Sequence, residues 1–230
     1  ALVKGDVQTD LAILDSLHDG YLNAKLQCKL DSANLFRLAS PYLPLLKPYW
    51  EAKMLTLDVQ GRVTSDSLDL RRLALRVDDD VDLTAEAFGL DPFDDEKREV
   101  AATLKTELTH ADYLLSAFVD VPSRRAYRLP DSLALDLEAS QRQKLLSARL
   151  DMRQQERDVL GAEGSFEMTK EQYHLTANAN QFDANLFVPD LPVEGITVRL
   201  NADGRHFRIP SKWTELAANI QVDSLYYTQP

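Results

Sequence analysis

The dominant feature of the chain is a strict alternation of apolar and polar residues. In the stretch 55–60, "LTLDVQ", every second residue is Leu or Val, and Thr, Asp and Gln stand between them. Because successive side chains of a β-strand point to opposite faces, such a run predicts a strand with one apolar and one polar face. Runs of this kind recur within 55–60, 73–78, 81–87, 100–108, 133–139, 146–152, 160–168, 173–179, 196–202 and 216–222. The pattern predicts a mainly β protein whose antiparallel sheet has one side in water.

Short polar segments separate the runs and predict turns, such as "TSDS" (64–67), "KEQ" (170–172) and "NADG" (201–204). A succession of hairpins gives a meander as the simplest topology. The apolar positions hold mostly Leu, Val and Ala, and aromatic residues make up only 8% of the chain. Such a face fits the lining of a long, curved, open groove, and it also fits the interior of a closed β-sandwich.

Two segments depart from the alternation. Residues 31–50 carry Leu at near-helical spacing, interrupted by three prolines, and residues 109–120 place Tyr113, Leu114 and Phe118 on one side. They predict short helices at about 32–46 and 109–119. The acidic stretch 91–99 predicts a solvated loop and an internal break. We otherwise interpret 1–230 as one continuous β segment of a longer protein.

Composition excludes several classes of function. The net charge of −11 argues against a nucleic-acid partner, because phosphate binding needs clustered Lys and Arg. No apolar stretch approaches the ~20 residues that span a bilayer, so no transmembrane segment is predicted. Cys28 is the only cysteine, which excludes an internal disulfide. Its position between Leu26 and Leu30 predicts an inert residue on the buried face.

A search for chemistry returns no catalytic motif. The histidines at 18, 110, 174 and 206 form no HExxH motif and no pair at metal-ligand spacing, and His174 is expected to face the polar side of its strand. The chain has no Gly-rich phosphate loop and no GxSxG motif. Gly161 and Gly164 are expected to ease a bend or bulge. We therefore predict no catalytic residue, no metal site and no cofactor, and a protein that is not an enzyme.

Four stretches carry a resemblance to a known family. They are "LTLDVQGRV" (55–63), "SLDLRRLALRVDDDVDLTAEAFG" (67–89), "LDMRQQERDVLGAEGSFEMTKEQYHLTANANQF" (150–182) and "LPVEGITVRLNADGRHFRIPSKWTELAANIQVDSLYY" (191–227). Their pattern of alternating apolar and polar residues resembles that of the AsmA/TamB-like family of cell-envelope proteins, in particular its TamB-like members. The segment "ANLFRLASPYLPLL" (33–46) is similar to the small helical insertion that such chains place between strands.

The resemblance implies a taco-like β-groove with a continuous apolar lining, in a periplasmic segment of an inner-membrane-anchored protein of a Gram-negative-type envelope. It implies a role in phospholipid transport and outer-membrane biogenesis, with phospholipid acyl chains as ligand and an outer-membrane assembly protein as a further partner. The alternative is a structural or protein-interaction β-scaffold in the envelope. The candidate lining residues are Leu55, Leu57, Val59, Leu73, Leu75, Val77, Leu83, Ala85, Leu104, Leu135, Leu137, Leu150, Phe166, Leu175, Ala177, Val198, Leu200 and Ile220.

Overall fold

A computed structural model describes residues 2–9, 21–31, 54–110, 112, 127–206 and 215–227. These residues form twelve strands and one short 3₁₀ helix, Ala184–Leu186. The strands are β1 (Leu2–Thr9), β2 (Tyr21–Asp31), β3 (Met54–Thr64), β4 (Ser67–Val77), β5 (Val81–Leu90), β6 (Glu99–Thr109), β7 (Ser132–Arg142), β8 (Leu145–Gln154), β9 (Arg157–Glu167), β10 (Gln172–Phe182), β11 (Val193–Arg205) and β12 (Glu215–Tyr227).

The twelve strands form a single antiparallel sheet in which spatial order equals chain order. The ten predicted runs correspond to β3–β12, and β1 and β2 extend the sheet at its N-terminal side. Within the described ranges each strand packs beside its sequence neighbours and no strand lies across the sheet face. The predicted mainly β, open meander is confirmed, and the closed-sandwich alternative is wrong. The helix predicted at 32–46 lies outside the described residues, and so does the helix predicted at 109–119 apart from Thr109, which ends β6, His110 and Asp112.

The turns follow the predicted positions with one exception. "TSDS" joins β3 to β4, and a turn ends at Glu171, just before β10. The turn predicted at "NADG" (201–204) is wrong, because these residues lie inside β11 and pair with both neighbouring strands. Residues 91–98 form a compact turn between β5 and β6, in which the Arg98 amide donates to the Asp94 carbonyl at 2.8 Å. The sheet therefore continues across the predicted internal break.

Glycine does not supply the left-handed conformations of this chain. Every described residue with positive φ is a non-glycine, including the consecutive pair Gln155 (φ 46°) and Glu156 (φ 63°) in the β8–β9 turn. Gly161 and Gly164 sit in regular β9–β10 register and form no bulge; the irregularity of β9 lies between Asp158 and Leu160, in its pairing with β8. A Cβ on Gly164 would lie 3.1 Å from the carbonyl oxygen of His174. The glycine is therefore explained by close backbone approach.

The buried core occupies one end of the strands. Leu55, Val77, Val81, Leu108 and Leu133 form a cluster in which each residue is at most 8% exposed. These residues stand where β3, β4, β5, β6 and β7 begin or end, so the core is a line across the sheet. Leu129 and Phe187, from connecting segments, pack against it. We call this side of the sheet the closed end.

Candidate functional site: the apolar face

The strand register aligns the apolar positions into rows that cross the sheet. Directly opposed residues in neighbouring strands stay on one face, so an inward residue on β3 is followed by inward residues on each strand up to β12. One row is Val59, Leu73, Ala85, Leu104, Leu137, Leu150, Ala162, Ala177, Leu200 and Ile220. Four further rows run parallel to it. Together they form what we call the apolar face.

The closed end is covered by two connecting segments that are far apart in sequence. The Arg128 amide donates to the Phe187 carbonyl at 2.9 Å, and the Arg128 guanidinium Nε donates to the Leu186 carbonyl at 3.0 Å. Phe187 stacks on Phe182 with ring centroids 5.2 Å apart. These contacts hold Leu129 and Phe187 against the core row and give the closed end a second layer.

Two polar groups near the closed end lack hydrogen-bond partners. The Gln154 side chain, at the end of β8, is 6% exposed and its Nε2 has no partner in the described structure. One carboxylate oxygen of Asp183 is also buried without a partner. Burial raises the pKa of Asp183 above its usual value, because the apolar surroundings disfavour the charged form.

A row of small residues lies next to the central row of the apolar face, on the side away from the closed end. It reads Ala87, Ala102, Ala139, Ala148 and Gly164 across β5–β9. A trough of about 350 Å³ opens beside it, and its apolar lining includes Leu137, Leu146, Leu150, Phe166 and Leu175. Leu146 and Leu175 remain 38% and 39% exposed. The described residues therefore leave an accessible apolar depression on this face.

The row at the other end of the strands has no buried large side chain among its described members. It includes Val63, Leu68, Val100, Leu146, Phe166, Tyr173 and Leu216. We call this side, bounded by the turns at 64–67, 90–99, 142–145 and 167–172, the open rim. Tyr173 lies over Gly204, its cross-strand partner, and its hydroxyl donates to the Glu215 carbonyl at 3.4 Å. A Cβ on Gly204 would overlap the Tyr173 ring.

The opposite face of the sheet carries a lattice of exposed ion pairs. Arg76 contacts Asp82 at 2.8 Å and Arg153 contacts Asp136 at 3.2 Å, in each case across neighbouring strands. His174 faces this side as predicted, and its Nδ1 lies 2.7 Å from Asp203 Oδ1. Such pairs contribute little to stability at the surface, but they keep this face solvated and charged.

The register places all eighteen predicted lining residues on the apolar face. Leu55 and Val77 belong to the buried core row, so they are not accessible from the trough. Leu137, Leu150, Phe166 and Leu175 border the trough directly. Their role in binding remains a prediction.

Sequence reasoning missed other residues of the same face. Leu146 and Tyr173 line the trough, and Thr106 and Gln141 stand at inward positions between apolar neighbours. Leu146 keeps the phase of the alternation with Ala148 and Leu150, but it is not among the eighteen predicted lining residues. The polar Thr106 and Gln141 interrupt the pattern and gave no signal.

Comparisons with protein-family models, with curated proteins and with solved structures gave no match. The resemblance to AsmA/TamB-like proteins therefore stays a prediction. In the ranges that the structure describes, no helix is long and apolar enough to cross a membrane. The same ranges contain no group of three or more His, Cys, Asp or Glu side chains arranged to hold a metal ion.

Proposed function

We propose that this chain shelters the acyl chains of phospholipids on its apolar face, as a periplasmic segment of a lipid-transport or outer-membrane biogenesis protein. The observation that carries the proposal is the continuity of the apolar rows across β3–β12, together with an accessible trough at β7–β10. Each CH₂ group removed from water contributes about 0.8 kcal/mol. A face of Leu, Val and Ala removes acyl chains from water without any directional contact. A lipid bound in this way is free to slide.

Adjacent leucines on opposite faces provide the test. Leu145 faces the charged side and is 41% exposed, whereas Leu146 faces the trough and is 38% exposed. The two positions therefore match in residue type, exposure and distance from the turn. Leu146→Glu would place a charge in an apolar depression, where its desolvation opposes lipid entry. Leu145→Glu adds the same charge to the face that is already polar.

The measurement is the phospholipid that the purified protein extracts from vesicles, quantified by mass spectrometry. We expect bound lipid for the native chain, a loss of about tenfold or more for Leu146→Glu since one unfavourable buried charge exceeds 1.4 kcal/mol, and near-native binding for Leu145→Glu. Absence of lipid from the native protein, or an equal effect of both substitutions, would contradict the proposal.

A second candidate function, a protein-interaction scaffold, is favoured by the edge strand β12. Its inward side chains Leu216, Ile220, Val222 and Leu225 are each 58–64% exposed, and the strand contains no Lys, Arg or Pro. Such an edge suits the addition of a partner strand. Asn219→Lys, at an outward-facing and exposed position of the same edge strand, would weaken this association and spare lipid extraction, whereas Leu146→Glu would have the reverse effect.

A further inference from the structure

The open rim is divided into an acidic half and a basic half. Over β3–β6 the rim segments 64–67 and 90–99 hold six acids, Asp66, Asp91, Asp94, Asp95, Glu96 and Glu99, against Lys97 and Arg98. Over β7–β11 the segments 142–145, 167–172 and 205–206 hold four cations, Arg142, Lys144, Lys170 and Arg205, against Glu167 and Glu171. The second half is a basic patch in a chain whose net charge is −11.

Two cations of the basic half, Lys144 and Lys170, stand in the turns that end the trough-lining strands, whereas Arg142 and Arg205 lie in the row of Leu145, on the charged face. Lys144 is two residues from Leu146, and Lys170 is three residues from Tyr173, so each ammonium-bearing residue begins within about 10 Å of the trough lining by strand geometry. The Met168 amide donates to the Lys144 carbonyl at 2.9 Å, which ties the two hairpin tips together. The tips are therefore held side by side at the mouth of the trough.

These cations are only weakly neutralised by neighbouring carboxylates. Lys144 Nζ lies 2.9 Å from Glu96 Oε1; the Lys144 side chain is 34% exposed, but Glu96 is 80% exposed, so water competes for the carboxylate. In the described ranges Arg142 and Lys170 make no ion pair. Arg205 is positioned to donate to the Gln172 side-chain oxygen, a neutral acceptor, at 3.0 Å. The patch can thus attract an external anion.

Resting on the proposed function, we infer that the basic rim binds the phosphate of an anionic phospholipid whose acyl chains occupy the trough. The site then has two parts: apolar rows that hold the tails, and Lys144 and Lys170 that select the headgroup by charge. A lysine near an anionic lipid headgroup contributes about fivefold in affinity, on the order of 1 kcal/mol. The attraction weakens as salt screens it.

The test uses the purified chain and vesicles of equal parts phosphatidylglycerol and phosphatidylcholine. We expect the native protein to extract phosphatidylglycerol in preference by about fivefold or more. Lys144→Gln combined with Lys170→Gln should abolish this preference while total bound lipid persists. The matched control is Lys97→Gln, at the tip of the acidic half, which should keep the preference.

The outcomes separate the two proposals. Lipid bound without headgroup preference, or a preference that survives the double substitution, overturns this inference alone. No bound lipid overturns the proposed function and this inference with it. Excess inorganic phosphate distinguishes lipid from free anion: we expect it to leave extraction of phosphatidylglycerol nearly unchanged. Phosphate that binds the apo protein and abolishes the preference would assign the patch to a free phosphate instead.

Discussion

The two ends of the apolar face use similar aliphatic residues but differ in what covers them. At the closed end, Leu133 is 5% exposed beneath segments that bring Leu129 and Phe187 onto the sheet. At the open rim, Leu146 is 38% exposed beside a trough. One alternating pattern is thus buried at one end of the strands and left exposed at the other.

The largest expected contrast comes from truncating one leucine at each end. Leu133→Ala leaves a cavity in a covered row and should lower the free energy of unfolding by about 2–4 kcal/mol. Leu146→Ala removes a side chain that is already partly hydrated, so we expect less than about 1 kcal/mol. Urea denaturation of the two variants measures the difference. Equal losses would mean that the open rim is as well packed as the closed end.

Two glycines extend the comparison from the open rim, at Gly204, to the middle of β9, at Gly161. In Gly204→Ala the new methyl would meet the Tyr173 ring and would lie 2.5 Å from the Glu215 carbonyl oxygen, so we expect a loss of about 1–3 kcal/mol. Gly161→Ala, whose nearest neighbour is an Asp151 carboxylate oxygen at 3.4 Å, should change stability by less than about 0.5 kcal/mol.

Chemical denaturation of a double variant also tests which contact causes the loss of stability in Gly204→Ala. Adding Tyr173→Ala to Gly204→Ala should restore only part of the loss, because the contact with the backbone oxygen of Glu215 remains. Full restoration would show that the ring alone excludes the methyl group.

Glycine substitutions in the turns should change the stability of the fold by smaller amounts, and with opposite signs at the closed end and the open rim. Glu156, in the closed-end turn, has φ 63°, so Glu156→Gly relieves a left-handed conformation and should stabilise the fold by about 0.5–1 kcal/mol. Lys144, in the open-rim turn, is not among the residues of positive φ, so Lys144→Gly should be neutral or destabilising. Thermal unfolding of both variants would detect the opposite signs.

The smallest effect concerns the pH dependence of the closed end. Burial raises the pKa of Asp183 above 3.8, so the unfolded chain ionises first as the pH rises from that value. The folded state then loses stability until Asp183 has ionised in both states. Asp183→Asn removes this component, and its stability relative to the native chain should increase with pH across that interval. Parallel pH profiles of unfolding for the two proteins would contradict the assignment.

Much of the fold could be predicted from the sequence because alternation is a local signal. It identified β3–β12 and the inward side of each, including the related stretches "LTAEA" and "LTANA", whose Leu83 and Leu175 both face the apolar side. It failed at "NADG", where residues typical of a turn continue a strand. There Gly204 accommodates the Tyr173 ring, and that contact depends on the register between β10 and β11.

The site was less accessible to prediction, because its two ends depend on contacts between distant segments. The cover of the closed end requires a hydrogen bond between Arg128 and Phe187, and no local sequence pattern predicts that contact. The basic rim arises only when the hairpin tips at 142–145 and 167–172 are brought together. The whole-chain charge of −11 argued only against a nucleic-acid partner, and a whole-chain sum does not reveal this local excess of cations.

The strictly sequential strand order has a consequence for folding. Every strand pair in the sheet joins elements that follow one another in the chain, so loop closure is short at each step, apart from the longer connections before β2, β3 and β7. Stability then accumulates approximately as a sum of nearest-neighbour terms, as in a repeat array. Such a sheet can nucleate at any hairpin and grow in both directions, and a defect in one strand is felt mainly by the two beside it.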